Sequence, residues 1–267
     1  MPGEFKSMAQ IPKHFSRVVV LSPHMDDAIL SCGGLLQALS QQMECLTLTI
    51  CTADPDHVDR LQPPHGIALP SFRRVEEINA MKALGCKLVQ LGLLDAIYRR
   101  HPETHQLLYP TLGSIWAMPF EVEVDHRVAI QDGIQKLVLT DDGQRTLFLS
   151  PLGVGHHVDH ILCTQALLSL PVSLEDILLY EDFPYVVDQG AHVGIADSTE
   201  KALERLKLIG TERLEKECDV KSKIELISHY ETQIDLIFGH ENNIRHMLMK
   251  NARGERTLER FWRIKKI

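Results

Sequence analysis

The 267-residue chain has no apolar stretch approaching the roughly 18 residues that cross a bilayer, so no membrane span is expected. Met1 to Lys13 lacks the apolar core of a secretory leader, and the expected location is cytoplasmic. The six cysteines (Cys32, Cys45, Cys51, Cys86, Cys163, Cys218) form no C-x-x-C pair. Most sit among apolar neighbours, which argues against a thiolate metal site and for buried free thiols. An excess of basic residues is also missing. The net charge of −8 argues against a nucleic-acid partner. The length suits one α/β domain over residues 1–267, with 1–14 as an N-terminal extension and 240–267 as a C-terminal tail.

What is present concentrates in Ser22-Pro23-His24-Met25-Asp26-Asp27. This stretch follows the β-branched run Arg17 to Leu21, which reads as a buried strand. It precedes Ala28 to Leu36, which reads as the start of a helix. In an open α/β sheet, ligands bind beyond the carboxyl ends of the strands. His24 and Asp27 are three apart, close enough to grip one metal ion from a single turn, and Asp26 between them points elsewhere. Taken alone, an Asp-Asp pair before a helix reads equally as a cap at the helix's positive end.

The layout repeats. Thr146 to Ser150 reads as a second buried strand, Pro151 to His160 as a polar knot, and Ile161 to Leu168 as a helix. Three of the fourteen histidines, His156, His157 and His160, fall within five residues. His157 and His160 face the same way if that turn is helical. A catalytic zinc keeps three nitrogen or carboxylate ligands and one open position. His24, Asp27 and one histidine of the second knot supply three. Asp26 and the remaining histidine are then available as the base and the oxyanion donor of a metal hydrolase.

Pro23-His24-Met25-Asp26-Asp27 and His157-Val158-Asp159-His160 together resemble the two signatures of the PIG-L/LmbE-like deacetylases, a (P/A)-H-P-D-D segment and an H-x-D-H segment. The resemblance implies a Rossmann-like three-layer α/β sandwich with a mostly parallel sheet and a metal site at the C-terminal strand ends. It implies His24, Asp27 and His160 as ligands of Zn2+, with Fe2+ or another divalent ion as substitutes. It implies Asp26 as general base, His157 as oxyanion stabiliser and proton donor to the leaving amine, and Asp159 as the group that orients a nearby imidazole. The implied reaction removes an N-acetyl group from an amino-sugar substrate or glycoconjugate, releasing acetate. The same metal site serving a non-amide hydration, or a non-catalytic sugar-binding relative, is the alternative. The implied partner is a small molecule, and the pattern is compatible with a homo-oligomer. Met25 and Val158 replace prolines common in the two motifs, and Ile29 stands where a Glu is often found. None of the five core polar positions is lost.

Elsewhere, Glu44 to Cys51 reads as a strand. Asp54, Asp56, His57 and Asp59 after it read as turn residues around Pro55. Ser71 is the expected cap of a helix over Phe72 to Leu84, with Val75, Ile78, Met81 and Leu84 on its apolar stripe and Gly85 at its stop. Arg73 and Glu76 match an R-x-x-E segment of the resembling family, which makes Arg73 a substrate-binding candidate. Asp95, in an L-G-x-x-D segment after the strand Lys87 to Leu91, is implied to face the sugar. Alternation of strands and helices predicts right-handed βαβ units and a parallel sheet. Residues 96–124 show no period and read as a lid or pocket wall. A helix is expected over Asp125 to Leu139 with Val128, Ile134, Leu137 and Val138 inward, then a turn at Asp141-Asp142-Gly143 and a strand at Ile177 to Tyr180. Glu181 and Asp182 read as solvated loop acids, although the Y-E-D-x-P-Y stretch is similar to family members. The C-terminal third reads as helical, with one helix from Asp219 to Phe238 carrying Ile224, Ile227, Ile234 and Ile237 on a core-facing stripe. Lys223, Tyr230, Thr232 and Gln233 match a late-helix pattern of the family. Phe261-Trp262 is expected to anchor the tail.

Overall fold

Aliphatic, β-branched runs such as Val18-Val19-Val20-Leu21 favour strands buried on both faces, and these form the middle of the sheet. The structure is a computed structural model that describes residues 6–7, 14–56, 67–139, 144–188, 197–207 and 211–264. His57, Asp59 and the expected Asp141-Asp142-Gly143 turn lie outside the described residues, as does the side chain of Val138. In chain order the elements are β1 (Lys6–Ser7), β2 (Arg17–Ser22), α1 (Asp27–Leu39), β3 (Glu44–Cys51), α2 (Pro70–Leu84), β4 (Lys87–Leu93), α3 (Val124–Leu139), β5 (Thr146–Pro151), α4 (Val158–Leu168), β6 (Ile177–Tyr180), α5 (Tyr185–Asp188), α6 (Thr199–Arg205), β7 (Thr211–Asp219), α7 (Val220–Ile227), α8 (Glu231–Phe238), α9 (Asn242–Lys250), β8 (Ala252–Arg253) and β9 (Arg256–Ile264).

The strands lie in the order β1-β7-β9-β6-β5-β2-β3-β4, with β8 on β9. Strands β2 to β6 are mutually parallel, and β9 runs antiparallel to β6 and β7. From β2 the chain steps one way to β3 and β4, and from β5 the other way to β6. The crevice outside β2 and β5 is therefore the topological switch point, where open sheets bind ligands. Val18 and Val20 join the core on one face of the sheet with Ile29, Leu36 and Ile227. Val19 and Leu21 point to the other face, with Ile134, Phe148 and Leu162. This is the period-two alternation of a strand covered on both sides.

Several expectations change. Helix α2 starts two residues early, with Leu69 at its cap and Pro70 at its first turn, where proline's fixed φ suits it. Val75 and Ile78 are exposed, and the buried face is instead Arg73, Glu77, Ala80, Met81 and Leu84. Val128 of α3 is exposed as well, with Ile130 buried in its place, whereas Ile134 is buried as expected. The expected helix from Asp219 to Phe238 is two helices, α7 and α8, separated at Ser228 to Tyr230. The C-terminal third also holds β7 and β9, both missed. They are rich in charged residues, a low-propensity composition for strands, and pair Glu215 with Arg260 and Glu212 with Arg263 across the ladder. Residues 240–267, expected as a tail, supply α9, β8 and the inner strand β9, and Phe261 on β9 is fully buried.

Strand β9 also straps α1 in place. The Glu259 carboxylate accepts the backbone N–H of Gly34 at 2.7 Å and of Leu35 at 2.8 Å. Lys223 of α7 donates to the same carboxylate and to Ile29 O at 2.7 Å. The approach requires glycine at 34, since a Cβ there would lie 2.1 Å from Cys218 Sγ. Gly34→Ala is expected to cost about 1–3 kcal/mol by overpacking. A urea midpoint unchanged from wild type would show that the strap yields freely.

Helix α2 carries a buried acid behind the site. Glu77 accepts from Thr49 Oγ1 and from Gln90 Nε2 at 2.9 Å. Burial, outweighing those hydrogen bonds, pushes its carboxyl from the ordinary 4.5 up to about 8. The folded protein thus holds a proton that the unfolded chain releases. The resulting stability is complete below the unfolded value and is lost as pH rises through about 8. Glu77→Gln should therefore flatten the decline of melting temperature between about pH 5 and pH 8. Parallel melting curves for the two proteins across that range would count against a protonated Glu77.

Candidate metal centre and active site

Beyond β2 the chain turns on Ser22, whose Oγ donates to His24 O at 2.6 Å and accepts the Ala28 N–H at 3.0 Å. The turn hangs His24 and Asp26 over the switch point and makes Asp27 the first residue of α1. Beyond β5, Gly155 adopts φ +90, and a Cβ there would come within 2.8 Å of the Tyr185 side chain. Glycine thus permits both the left-handed backbone and the seat of the Tyr185 ring. His157 follows as the N-cap of α4, its Nδ1 accepting the Asp159 N–H at 3.2 Å. That contact leaves the ring proton of neutral His157 on Nε2. His160 lies one helical turn further on.

Asp27 is where the two knots meet. Its Oδ2 accepts the His24 N–H at 2.8 Å, lies 3.2 Å from His24 Nδ1 and stands 3.4 Å from His160 Nε2. The far nitrogens of both rings face other carboxylates. His24 Nε2 is 3.1 Å from Asp159 and 3.6 Å from Asp95, and His160 Nδ1 is 2.6 Å from Asp182. A carboxylate holding one ring nitrogen fixes the tautomer and turns the other nitrogen outward as a ligand. His160 Nε2 is buried and makes no hydrogen bond. Among the described residues no Lys or Arg pairs with Asp27. The ligating atoms of His24, Asp27 and His160 lie within 4.8 Å of one another. Two imidazole nitrogens and one carboxylate without a Lys or Arg partner fit a divalent cation.

The surrounding charges are unevenly tuned. Burial raises the Asp26 carboxyl above its ordinary value, against the pull of Arg73, whose NH2 lies 3.4 Å away. Burial, reinforced by His24, holds His157 well below the usual histidine range, so it is neutral. Burial alone would lower His24, but Asp95, Asp159 and Asp27 outweigh it and raise that ring well above its ordinary value. Against burial, His160 and His24 pull the Asp27 carboxyl below the usual range.

The structure brings all eight predicted site residues to this crevice. His24, Asp26, Asp27, Arg73, Asp95 and His157 line a cavity of about 300 Å³, and Asp159 and His160 stand behind it. The imidazole that Asp159 touches through its side chain is His24. Arg73 is buried against Asp26, and Asp95 Oδ1 also caps the turn at Ile97. Glu76 accepts from Thr232 and so caps α8 instead of pairing with Arg73. The reading as solvated loop acids fails for Asp182, which is buried on His160, and for Glu181, which accepts from Thr199 and Trp262. Its position at the end of β6, beside the other two strand-end knots, is the signal that would have found Asp182. Asp54 is held by Arg74 at 2.9 Å. The outer walls are largely apolar. Leu112, Ile115 and Trp116 come from the irregular 96–124 segment, and Leu236 and Ile237 from α8. Trp116 packs edge-on against His157 at 5.0 Å and against Tyr185 at 5.1 Å.

Comparison with known proteins identifies the family. The family model described as PIG-L, GlcNAc-PI de-N-acetylase, matches residues 19–170, more than half of the chain. The chain is 31% identical over 183 residues to a 2'-N-acetylparomamine deacetylase of Streptomyces fradiae, covering 66% of this chain and 60% of that protein. It is 27% identical over 186 residues to the protein of the same description from Niallia circulans, covering 62% of this chain and 66% of that protein. The chain thus spans less than two thirds of the length of the curated relatives it matches. Among solved structures, a deacetylase of the teicoplanin biosynthesis pathway, in complex with bog, superposes with a TM-score of 0.67 at 24% identity, covering 92% of this chain and 96% of that one. The family match contains both strand-end knots and the switch point between them, and the chain belongs to the PIG-L family.

Proposed function

We propose that the protein is a zinc-dependent N-deacetylase that hydrolyses the acetamide of an amino sugar, releasing acetate and a free amine. The observation that carries this reading is the pairing of Asp27, flanked by two oriented imidazoles and without a Lys or Arg partner among the described residues, with a separate buried acid and a neutral histidine on the same cavity. Simple ion storage needs neither of the last two groups. His24, Asp27 and His160 would hold the metal, and their nitrogen and carboxylate donors suit zinc. When bound, such an ion polarises an amide carbonyl and acidifies water.

The chain's own residues supply the rest. Asp26, ionised and aligned by Arg73, takes the proton from the attacking water as its oxygen bonds to the acetyl carbon. The Nε2–H of His157 donates to the oxyanion that forms, an interaction stronger in the transition state than with the ground-state carbonyl. As the C–N bond breaks, the proton held by Asp26 passes to the leaving nitrogen. The free amine and acetate then depart, and Asp26 is again a carboxylate. The raised Asp26 and depressed His157 values favour this division, a carboxylate made more basic and a neutral donor.

The apolar walls support a substrate that carries more than a bare sugar. Trp116, Ile115 and Leu236 offer an aliphatic or aromatic group a surface leading out from the polar floor. The similarity to deacetylases of acetylated paromamine and of the teicoplanin pathway supports a glycoconjugate in the same sense.

Acetate release from N-acetylglucosaminides with free, alkyl, aryl and aminoglycoside partners, with zinc and after chelation, is the direct test. Metal-dependent release is expected, and none from any of them would remove the deacetylase reading. Asp26→Asn should bind zinc stoichiometrically yet lose at least about 10²-fold in kcat, the scale of a general base. Wild-type turnover in that variant would take the base away from Asp26. Because only ionised Asp26 is active and Arg73 lowers its pKa, Arg73→Met should shift the acid limb of kcat/KM to higher pH. An unmoved limb would show that this limb reports another group.

A further inference from the structure

The 96–124 segment does more than wall the cavity. It reaches under the metal centre through one buried chain of charges. Arg99, at the end of the turn Ala96–Tyr98, donates from Nε to Glu123 at 2.6 Å and from NH1 to Asp159 and to Leu94 O. Glu123 in turn accepts from the Tyr109 hydroxyl and from the Phe120 N–H at 3.1 Å. Asp159 accepts the Ala96 N–H at 3.1 Å and faces His24 Nε2. Arg99, Glu123 and Asp159 are all buried. The guanidinium also lies 3.5 Å from His126 Nε2, so it occupies the space among Cys51, His126 and Asp159, where a second ion would otherwise fit.

We propose that Arg99 is a positioning residue for the metal site. It touches neither the substrate cavity nor a ligand. It fixes the Asp159 carboxylate from below, and that carboxylate fixes the His24 ring so that Nδ1 faces Asp27 and His160. Without Arg99, Asp159 would be a buried anion free to turn toward other donors or to take up a proton. The His24 ring would then lose its outer restraint. Outer restraints of this kind govern metal affinity by about 10–100-fold. A lysine retains the charge but cannot bridge Asp159, Glu123 and Leu94 O at once. The inference rests on the metal reading above but not on the identity of the substrate.

The test uses the full chain and zinc itself. The zinc dissociation constant is measured by competition with a chromophoric chelator, and the cobalt-loaded protein supplies a visible spectrum that reports ligand geometry. Arg99→Met is expected to weaken zinc about 10–100-fold and to move the cobalt bands, with Arg99→Lys recovering part of both. Lys223→Met, which breaks a buried ion pair on the opposite face of α1, is the control for a structural loss. It should lower the melting temperature of the chelated protein and leave the zinc constant within about twofold, since distant sites act independently. If Arg99→Met does not fold, Glu123→Gln keeps the guanidinium in place but loosens it, and a smaller loss in the same direction is expected. An unchanged zinc constant and cobalt spectrum in Arg99→Met, or an equal loss in Lys223→Met, would overturn the proposal. Zinc bound by wild type and weakened by Arg99→Met, with no acetate released from any sugar, would sustain this inference while removing the deacetylase.

Discussion

The site is governed by the cost of burying carboxylates. Asp26, Asp27, Asp159 and Asp182 are all buried within two short stretches of chain and one strand end. An unpaired buried anion costs several kcal/mol, so each must find a cation or a set of donors. Arg73 answers Asp26, Arg99 answers Asp159, and the His160 ring together with the Val154 N–H answers Asp182. Asp27 is left with imidazoles and one backbone N–H. The fold thus leaves Asp27 without a Lys or Arg partner among the described residues, between two nitrogens already turned toward it, and that is what makes the point a candidate metal site.

Much of this was legible because the candidate ligands lie within two short segments, each at the end of a strand whose apolar run is plain to read. The sequence spacing of His24 and Asp27, or of His157 and His160, translates directly into a shared turn. The restraining partners were not legible. Asp182, Arg99 and Glu123 reach the knots from other elements, and nothing local distinguishes a buried acid at a strand end from a solvated one. Helix α2 misled for a related reason. The first half of its inward face is Arg73 and Glu77, which pack behind Asp26, so the apolar positions Phe72, Val75 and Ile78 stand in solvent, while Ala80, Met81 and Leu84 are buried further along. Strands β7 and β9 were hidden because cross-strand ion pairs, not apolar residues, fill their outer face.

The irregular 96–124 segment combines two tasks that regular structure would separate. Its apolar members, Leu112, Ile115 and Trp116, face the cavity, and its buried polar members, Arg99, Tyr109 and Glu123, knit inward. Short turns capped by side chains, such as Thr111 with Ser114, satisfy its backbone without a helix or strand. A segment built in this way can change its wall residues to suit another substrate while its inner polar links keep their geometry.

The strap on α1 carries a consequence for how the molecule comes into being. The carboxylate that receives the Gly34 N–H belongs to a residue 225 positions later in the chain. A polypeptide emerging from the ribosome therefore presents His24 and Asp27 long before α1 has the contact that pins it. The parallel strands β2 to β6 can be gathered before β9, which lies between β6 and β7, has been made. Contacts of such long range form late. All three candidate ligands, His24, Asp27 and His160, are thus in the chain before the strap that holds α1 can close.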